Sequence, residues 1–91
     1  MTCMDIINKL EGSDRFKCWQ LFMKLSRVFF VKDKQDDKAV TELRSVAEEM
    51  NGIFIKKGFA SHFNTELNDK EFIDQLLTEM DLIKNGNKLK D

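Results

Sequence analysis

The residues best suited to covalent chemistry in this 91-residue chain are two cysteines and one histidine. A thiolate nucleophile needs a base that a third group orients, and no spacing in the sequence places Cys3 or Cys18 beside His62. The three residues form no CxxC or HxxxH pair, so their spacing does not indicate a metal site. Base rates for buried cysteines favour a packing role for both. The sequence therefore predicts no catalytic residue, no metal and no cofactor.

Paired carboxylates are the next candidates, because acid–base catalysis uses two carboxyl groups in different environments. The pairs in this chain fall on the polar sides of predicted helices, where both members share one solvated environment. The four glycines are isolated from one another, which excludes a glycine-rich phosphate loop. We interpret the chain as a protein that is not an enzyme. The pairs are Glu48-Glu49, Asp36-Asp37 and Glu79/Asp81.

A basic ridge, defined by Lys17, Lys24, Arg27 and Lys34, follows one predicted helix and the connection after it. Residues 1–35 carry seven basic and four acidic groups, a net charge of +3, although the whole chain has a net charge of −1. Such a ridge can contact phosphates. Lysines outnumber arginines twelve to three, however, and arginine is the usual residue for bidentate phosphate contacts. A solvated helix face is the simpler interpretation, and nucleic-acid or nucleotide binding is the alternative function.

Residues 53–63, IFIKKGFASHF, combine five large apolar side chains with two lysines, one histidine and no acidic residue. The apolar positions fit no single helical face through Gly58, so we expect some of the phenylalanines to project from the surface. Exposed aromatic side chains rimmed by lysine are typical of protein-binding patches. Core packing of each phenylalanine is the competing interpretation, because a small domain needs most of its aromatics inside. The predicted partner-binding residues are Phe54, Lys56, Lys57, Phe59, His62 and Phe63.

The elements that must position these residues show helical patterns. Residues 2–11 form a short amphipathic segment that Thr2 can cap and Gly12 can end. Residues 14–31 are apolar except for a narrow polar stripe, which is typical of a helix surrounded on its other sides. Helical periodicity begins again near Lys38 and continues to Met50, where Asn51-Gly52 interrupts it.

The last helix has signals at both ends. Asn68 can cap it, with Glu71 three residues later, and Asn85-Gly86 can end it. Between the long helices, Phe59, Phe63 and Leu67 are spaced by four, so residues 58–67 could add one or two helical turns. The predicted organisation is a single helical domain over residues 1–86 with a frayed charged tail over residues 87–91.

These patterns predict an all-α fold, a compact bundle of four to five helices around a central buried helix at residues 14–31. A rival fold is α+β, with a small β-α-β unit in which strands at 27–32 and 53–57 flank a helix at 38–50. Two parallel strands make a poor sheet without others, which favours the helical fold.

The composition narrows the function. No apolar run approaches the roughly 18 residues that a membrane span needs, so we predict a cytoplasmic protein without a membrane partner. Eight phenylalanines, one tryptophan and five methionines exceed what a monomer of this size obviously needs. We interpret the chain as a small protein-binding regulator, such as an inhibitor, adaptor or immunity-type protein, with a homodimer as one form of the interaction. Lysine and asparagine in place of arginine, with no proline, indicate a bacterial or phage source.

Overall fold

A computed structural model describes residues 2–31 and 36–89, with backbone alone at 31 and 83–89. Over these ranges the chain forms four α-helices and no strand. The all-α prediction is confirmed, and the β-α-β alternative is wrong where the structure describes it, because both proposed strands lie within helices up to residues 31 and 56. The helices are α1 (Cys3–Lys9), α2 (Gly12–Val31), α3 (Asp37–Lys56) and α4 (Asp69–Leu89).

The helix starts follow the local signals in the sequence. Thr2 and Asp5 form a capping box, in which the Thr2 hydroxyl accepts from the Asp5 N–H at 3.3 Å and the Asp5 carboxylate accepts from the Thr2 N–H at 2.8 Å. Asn68 accepts from the Glu71 N–H at 2.9 Å at the start of α4. Gly12 has a φ of 60°, which lets the chain turn directly from the end of α1 into α2.

Two helices continue through the Asn-Gly pairs at which the sequence predicts an interruption. α3 passes Asn51-Gly52 and ends at Lys56, and α4 passes Asn85-Gly86 and ends at Leu89. A glycine costs a formed helix only about 1 kcal/mol, since adding a residue to an existing helix is far easier than starting a new one. The tail predicted from residue 87 therefore begins within α4, and residues 90 and 91 lie outside the described residues.

The connection over residues 57–68 contains no helix, so the predicted helical turns are absent. Gly58 ends α3 in the left-handed region, with a φ of 91°, and the Phe59 N–H donates to the Phe54 carbonyl at 2.8 Å. The chain then runs across the molecule to Asn68 without regular structure, and its polar backbone must find partners elsewhere.

The core is built by all four helices and by Phe63 of the connection. α2 lies against this core on one side only, where Cys18, Leu25 and Phe29 are buried. It is not surrounded on its remaining apolar sides, which is the main departure from the predicted arrangement. No helix in the described part of the chain is long and apolar enough to cross a bilayer.

Candidate functional site

The phenylalanines of the predicted partner-binding segment lie on its inner side. Phe54 and Phe63 are fully buried, and Phe59 is half-buried against the core. Of the phenylalanines expected to supply a projecting ring, Phe54 and Phe63 do not project, and Phe59 is partly exposed. Because α3 continues to Lys56, Phe54 falls on its core face, four residues after Met50.

Asn51 is the residue that makes this burial possible. Its side chain is buried, accepts from the N–H groups of His62 at 2.9 Å and Phe63 at 3.0 Å, and donates to the Phe63 carbonyl at 2.7 Å. A buried irregular backbone requires such partners, since unpaired polar groups are costly away from water. Asn51 thus serves as a tertiary contact within α3, although Asn-Gly in the sequence indicated a helix end.

Arg44 holds the second half of the connection. One guanidinium nitrogen donates to the carbonyls of Thr65 at 2.6 Å and Leu67 at 2.7 Å, and the other contacts the Asp69 carboxylate at 2.7 Å. The guanidinium also lies over the Phe72 ring, 4.7 Å from its centroid. Arg44 therefore fixes the connection to the start of α4, a structural role that sequence inspection did not identify.

The structure brings His62 near a cysteine through Glu79. The buried Glu79 carboxylate lies 3.0 Å from His62 Nε2 and accepts from the Cys3 N–H at 2.6 Å. Burial, followed by the Glu79 charge and hydrogen bond, raises the pKa of the Cys3 thiol far above its ordinary value. A buried thiol that stays protonated is a poor nucleophile. Histidine, glutamate and cysteine here join α1, the connection and α4, and they do not form a catalytic group.

Cys18 is the other cysteine of the chain. Burial also raises the pKa of the Cys18 thiol, and the nearby Asp14 charge adds to the effect. Across residues 2–31 and 36–89, no cluster of three or more histidine, cysteine, aspartate or glutamate side chains could hold a metal ion.

The two lysines of the predicted site are exposed but do not rim an aromatic patch. The Lys57 ammonium lies 2.8 Å from the Asp14 carboxylate of α2, and Lys56 is exposed beside it. Ile55 is the exposed apolar side chain of this region, at 58% of its full area. The segment therefore presents Ile55 and Lys56 with a half-buried Phe59, which is a small surface for a partner.

Four of the seven large apolar side chains that are exposed in the described part of the chain lie on α2 instead. We call this row the α2 stripe and define it as Phe16, Trp19, Met23 and Phe30, which are exposed to 66%, 36%, 57% and 67%. With the half-buried Ser26 these positions have spacings of three, four, three and four, so they lie within an arc of about 80° on the helix. The stripe lies roughly opposite the buried face of α2. The spacing of these residues can be read from the sequence, but a helix face that is buried in the core would show the same spacing.

Aromatic contacts orient the stripe at both ends. Trp19 packs edge-to-face on Phe22, with ring centroids 6.0 Å apart, and Phe30 packs in the same way on the buried Phe29 at 5.1 Å. Beside Phe30 an open groove of about 430 Å³ lies between α2 and α4, where Leu77 is also exposed. The apolar surface thus continues from α2 onto α4.

Basic side chains border the α2 stripe. Arg27 of the predicted basic ridge and Arg15 are exposed about 20° beyond the edges of the stripe. Lys17 and Lys24 of the ridge are exposed about 80° to 100° farther round α2, and Lys34 lies outside the described residues. Lys24 also lines a groove with the carboxylates of Glu42 and Glu49 on α3.

A comparison with protein families finds a match over almost the whole chain. Residues 2–91 match the family model described as the RanGAP1 C-terminal domain. No curated protein matches the chain, and no solved structure matches it. The family match spans every helix described above, including the face that carries the α2 stripe.

Proposed function

The chain belongs to the RanGAP1 C-terminal domain family, and from that premise we propose that it docks a partner protein on the α2 stripe. The observation that carries the proposal is the row of Phe16, Trp19, Met23 and Phe30, exposed on the side of α2 that faces away from the core. Single exposed apolar residues are ordinary, but a contiguous row of this kind marks an interaction surface.

The family bears on three of the sequence predictions. The RanGAP1 C-terminal domain is a non-catalytic domain that binds proteins, so the chain is not an enzyme and has a protein partner, as predicted. RanGAP1 is a eukaryotic protein, and the bacterial or phage source is therefore not supported. Low arginine content in so short a chain is a compositional feature that does not identify a lineage.

Residues 53–63 are the second candidate for the docking surface. Lys56 and Ile55 are exposed and Phe59 is half-buried there, whereas the other two phenylalanines contribute nothing to the surface. Aromatic anchors that can be desolvated supply most of the binding energy of protein interfaces. The α2 stripe offers three such rings and residues 53–63 offer part of one, which is why we rank α2 first.

Single-cysteine crosslinking tests the proposal. Both native thiols are buried, so a cysteine placed at Ser26, in the middle of the α2 stripe, can be labelled selectively with a photo-crosslinker. We expect labelled Ser26→Cys to crosslink a partner in a eukaryotic cell extract, and the same adduct to disappear when Met23→Asp is added. Ala60→Cys reports on the second candidate surface, and Lys70→Cys on α4 is the matched control.

Each crosslinking outcome has a defined meaning. An adduct at Ser26→Cys alone supports docking on α2. An adduct at Ala60→Cys alone, or an adduct at Ser26→Cys that persists with Met23→Asp, overturns it.

Nucleic-acid binding through Lys17, Lys24, Arg27 and Lys34 stays the alternative prediction. Phosphate contacts weaken steeply as salt rises, so an oligonucleotide that does not bind even at low salt would eliminate this alternative. The predicted cytoplasmic location and the predicted homodimer likewise stay predictions. An inhibitor or adaptor role is compatible with a docking surface on α2.

A further inference from the structure

We infer that the α2 stripe receives an amphipathic helix with acidic flanks, contributed by the partner protein. The inference rests on the proposed function, because it names the chemistry of the segment that would fill the proposed surface. Two observations lead to it: the helical spacing of the stripe and the sign of the charges beside it.

The spacing of the stripe suits a helix. Phe16, Trp19, Met23, Ser26 and Phe30 repeat in the three-four pattern by which one helix packs its side chains between those of another. They cover fourteen steps of α2, or about 21 Å, which is the length of four helical turns. A straight apolar row of this length matches the apolar face of a docked helix, whose apolar residues recur at every third or fourth position.

The charges beside the stripe are positive. α2 carries Arg15, Lys17, Lys24 and Arg27 but only one acidic residue, Asp14, whose carboxylate faces Lys57. Arg15 and Arg27 are exposed and lie about 20° beyond the two edges of the stripe on the helix, so we expect a partner to meet these two first. Complementary charges along the rim select the partner and its register, and here they select glutamate or aspartate.

The exposed area argues against a second copy of this chain as the occupant. The exposed parts of the four stripe side chains amount to roughly 400 to 500 Å², given the size of aromatic side chains. A stable dimer usually buries about 800 Å² on each partner. Two copies would also bring basic edges together, whereas an acidic helix would neutralise them. The occupant of the stripe is therefore a helix of the partner protein, which docks with modest affinity.

Trp19 provides the reporter for the test, because it is the only tryptophan and it lies on the stripe. The probes are two synthetic helical peptides of about 18 residues with the same leucine seam, one with glutamate flanks and one with lysine flanks. We expect the acidic peptide to shift Trp19 fluorescence to shorter wavelength and to bind at least about tenfold more tightly than its basic twin. Its affinity should fall between roughly 50 mM and 0.5 M NaCl.

Variants separate the apolar and the charged contributions. Met23→Asp should abolish binding of the acidic peptide, and Ile55→Asp, an exposed apolar site on α3, should leave it unchanged. The double variant Arg15→Gln/Arg27→Gln should retain binding but lose most of the preference for the acidic peptide. Far-ultraviolet circular dichroism of each variant confirms that the helices are intact before binding is compared.

The outcomes distinguish this inference from the function it rests on. Equal binding of both peptides, abolished by Met23→Asp, would overturn the acidic partner while supporting α2 as the docking surface. No binding of either peptide, together with an unchanged crosslink to Ser26→Cys, would overturn the helical partner alone. Sedimentation of the free protein as a dimer that Met23→Asp converts to a monomer would assign the stripe to a second copy and overturn the inference.

Discussion

The connection over residues 57–68 and the α2 stripe use similar residues in opposite ways. In the connection, Phe63 is 2% exposed although it lies on irregular backbone. On α2, Phe16 is 66% exposed although it lies in a regular helix. Phe63 on irregular backbone is buried and Phe16 on a regular helix is exposed, whereas the sequence predicts a surface patch at residues 53–63 and a buried helix at residues 14–31.

The difference shows what burial requires. Irregular backbone can enter a core only when other groups pair with its N–H and C=O groups, and Asn51, Arg44 and Gln75 do so here. A helix satisfies its own backbone, so it can be buried or exposed without further cost. Its exposure then depends only on whether another element covers it, and nothing in the described structure covers the far side of α2.

The largest expected effect is the contrast between Phe63→Ala and Phe16→Ala. Removing the buried ring leaves a cavity and should lower the free energy of unfolding by about 3 to 5 kcal/mol. Removing the exposed ring should change it by at most about 0.5 kcal/mol. Urea unfolding followed by circular dichroism measures both variants. Equal losses for the two would mean that Phe16 is covered in solution.

Asn51→Ala should have the next largest effect, a loss of about 2 to 3 kcal/mol. The substitution leaves the N–H groups of His62 and Phe63 and the Phe63 carbonyl without their partner. Hydrogen exchange should show the two amides exchanging faster while those of α2 keep their protection.

Asn8→Ala is the control for that substitution, because the hydrogen bond that the Asn8 oxygen accepts from Arg15 is long, at 3.4 Å, and exposed. We expect its stability to match that of the unmodified protein. If Asn51→Ala were equally harmless, water would be able to replace the asparagine, and the connection would not depend on it.

The parts of the fold that the sequence predicted are those set by near neighbours. Thr2 with Asp5, and Asn68 with Glu71, are capping signals within four residues, and both helix starts were confirmed. The continuation of α3 past Asn51 was not predictable in this way. It depends on bonds to residues 62 and 63, eleven and twelve positions away in the chain, which no local pattern records.

The candidate site illustrates the same limit. α2 has two apolar faces, one with Leu21 and Leu25 and the other with Met23 and Phe30. Both have helical spacing, and such a pattern is typical of a helix that is buried on all sides. Only the positions of the other helices decide which face is covered. The sequence predicted a protein-binding surface and placed it on residues 53–63, whereas more of the exposed large apolar side chains in the described structure lie on α2.

A smaller effect is expected from Glu79→Gln, and it should depend on pH. Burial alone would raise the pKa of Glu79, but hydrogen bonds and charge from His62, with the Cys3 N–H, outweigh it and lower the pKa below its ordinary value. Because its pKa is lowered, the ionised Glu79 carboxylate stabilises the fold at pH values above the ordinary glutamate pKa of about 4.3. This stabilisation is lost as the pH falls through the pKa of Glu79 in the folded protein. We expect Glu79→Gln to cost about 1 to 2 kcal/mol at pH 7 and progressively less in acid.

Urea unfolding of both proteins between neutral and acidic pH measures this convergence. Glu48→Gln, at an exposed position on α3, is the matched control and should give a constant difference near zero. A cost for Glu79→Gln that stays the same in acid would show that the carboxylate acts through packing rather than through its charge.

The smallest expected effect concerns the ion pair that joins the two regions. Asp14 of α2 and Lys57 of the connection lie 2.8 Å apart and are both partly exposed, and the hydrogen bond from Lys57 lowers the pKa of Asp14. Exposed pairs contribute little and are screened by salt, so Asp14→Asn should lower the unfolding midpoint slightly at low ionic strength and not detectably at high. Because the pKa of Asp14 is lowered, the ion pair stabilises the fold at pH values above the ordinary aspartate pKa, and this stabilisation is lost in acid.

The connection itself is held by Asn51 and Arg44, so Asp14→Asn should not change the exchange rates of the His62 and Phe63 amides. Faster exchange of these amides would show that the ion pair with α2 helps to hold the connection in place. The burial of Phe63 would then depend on a contact with the helix that carries the exposed stripe.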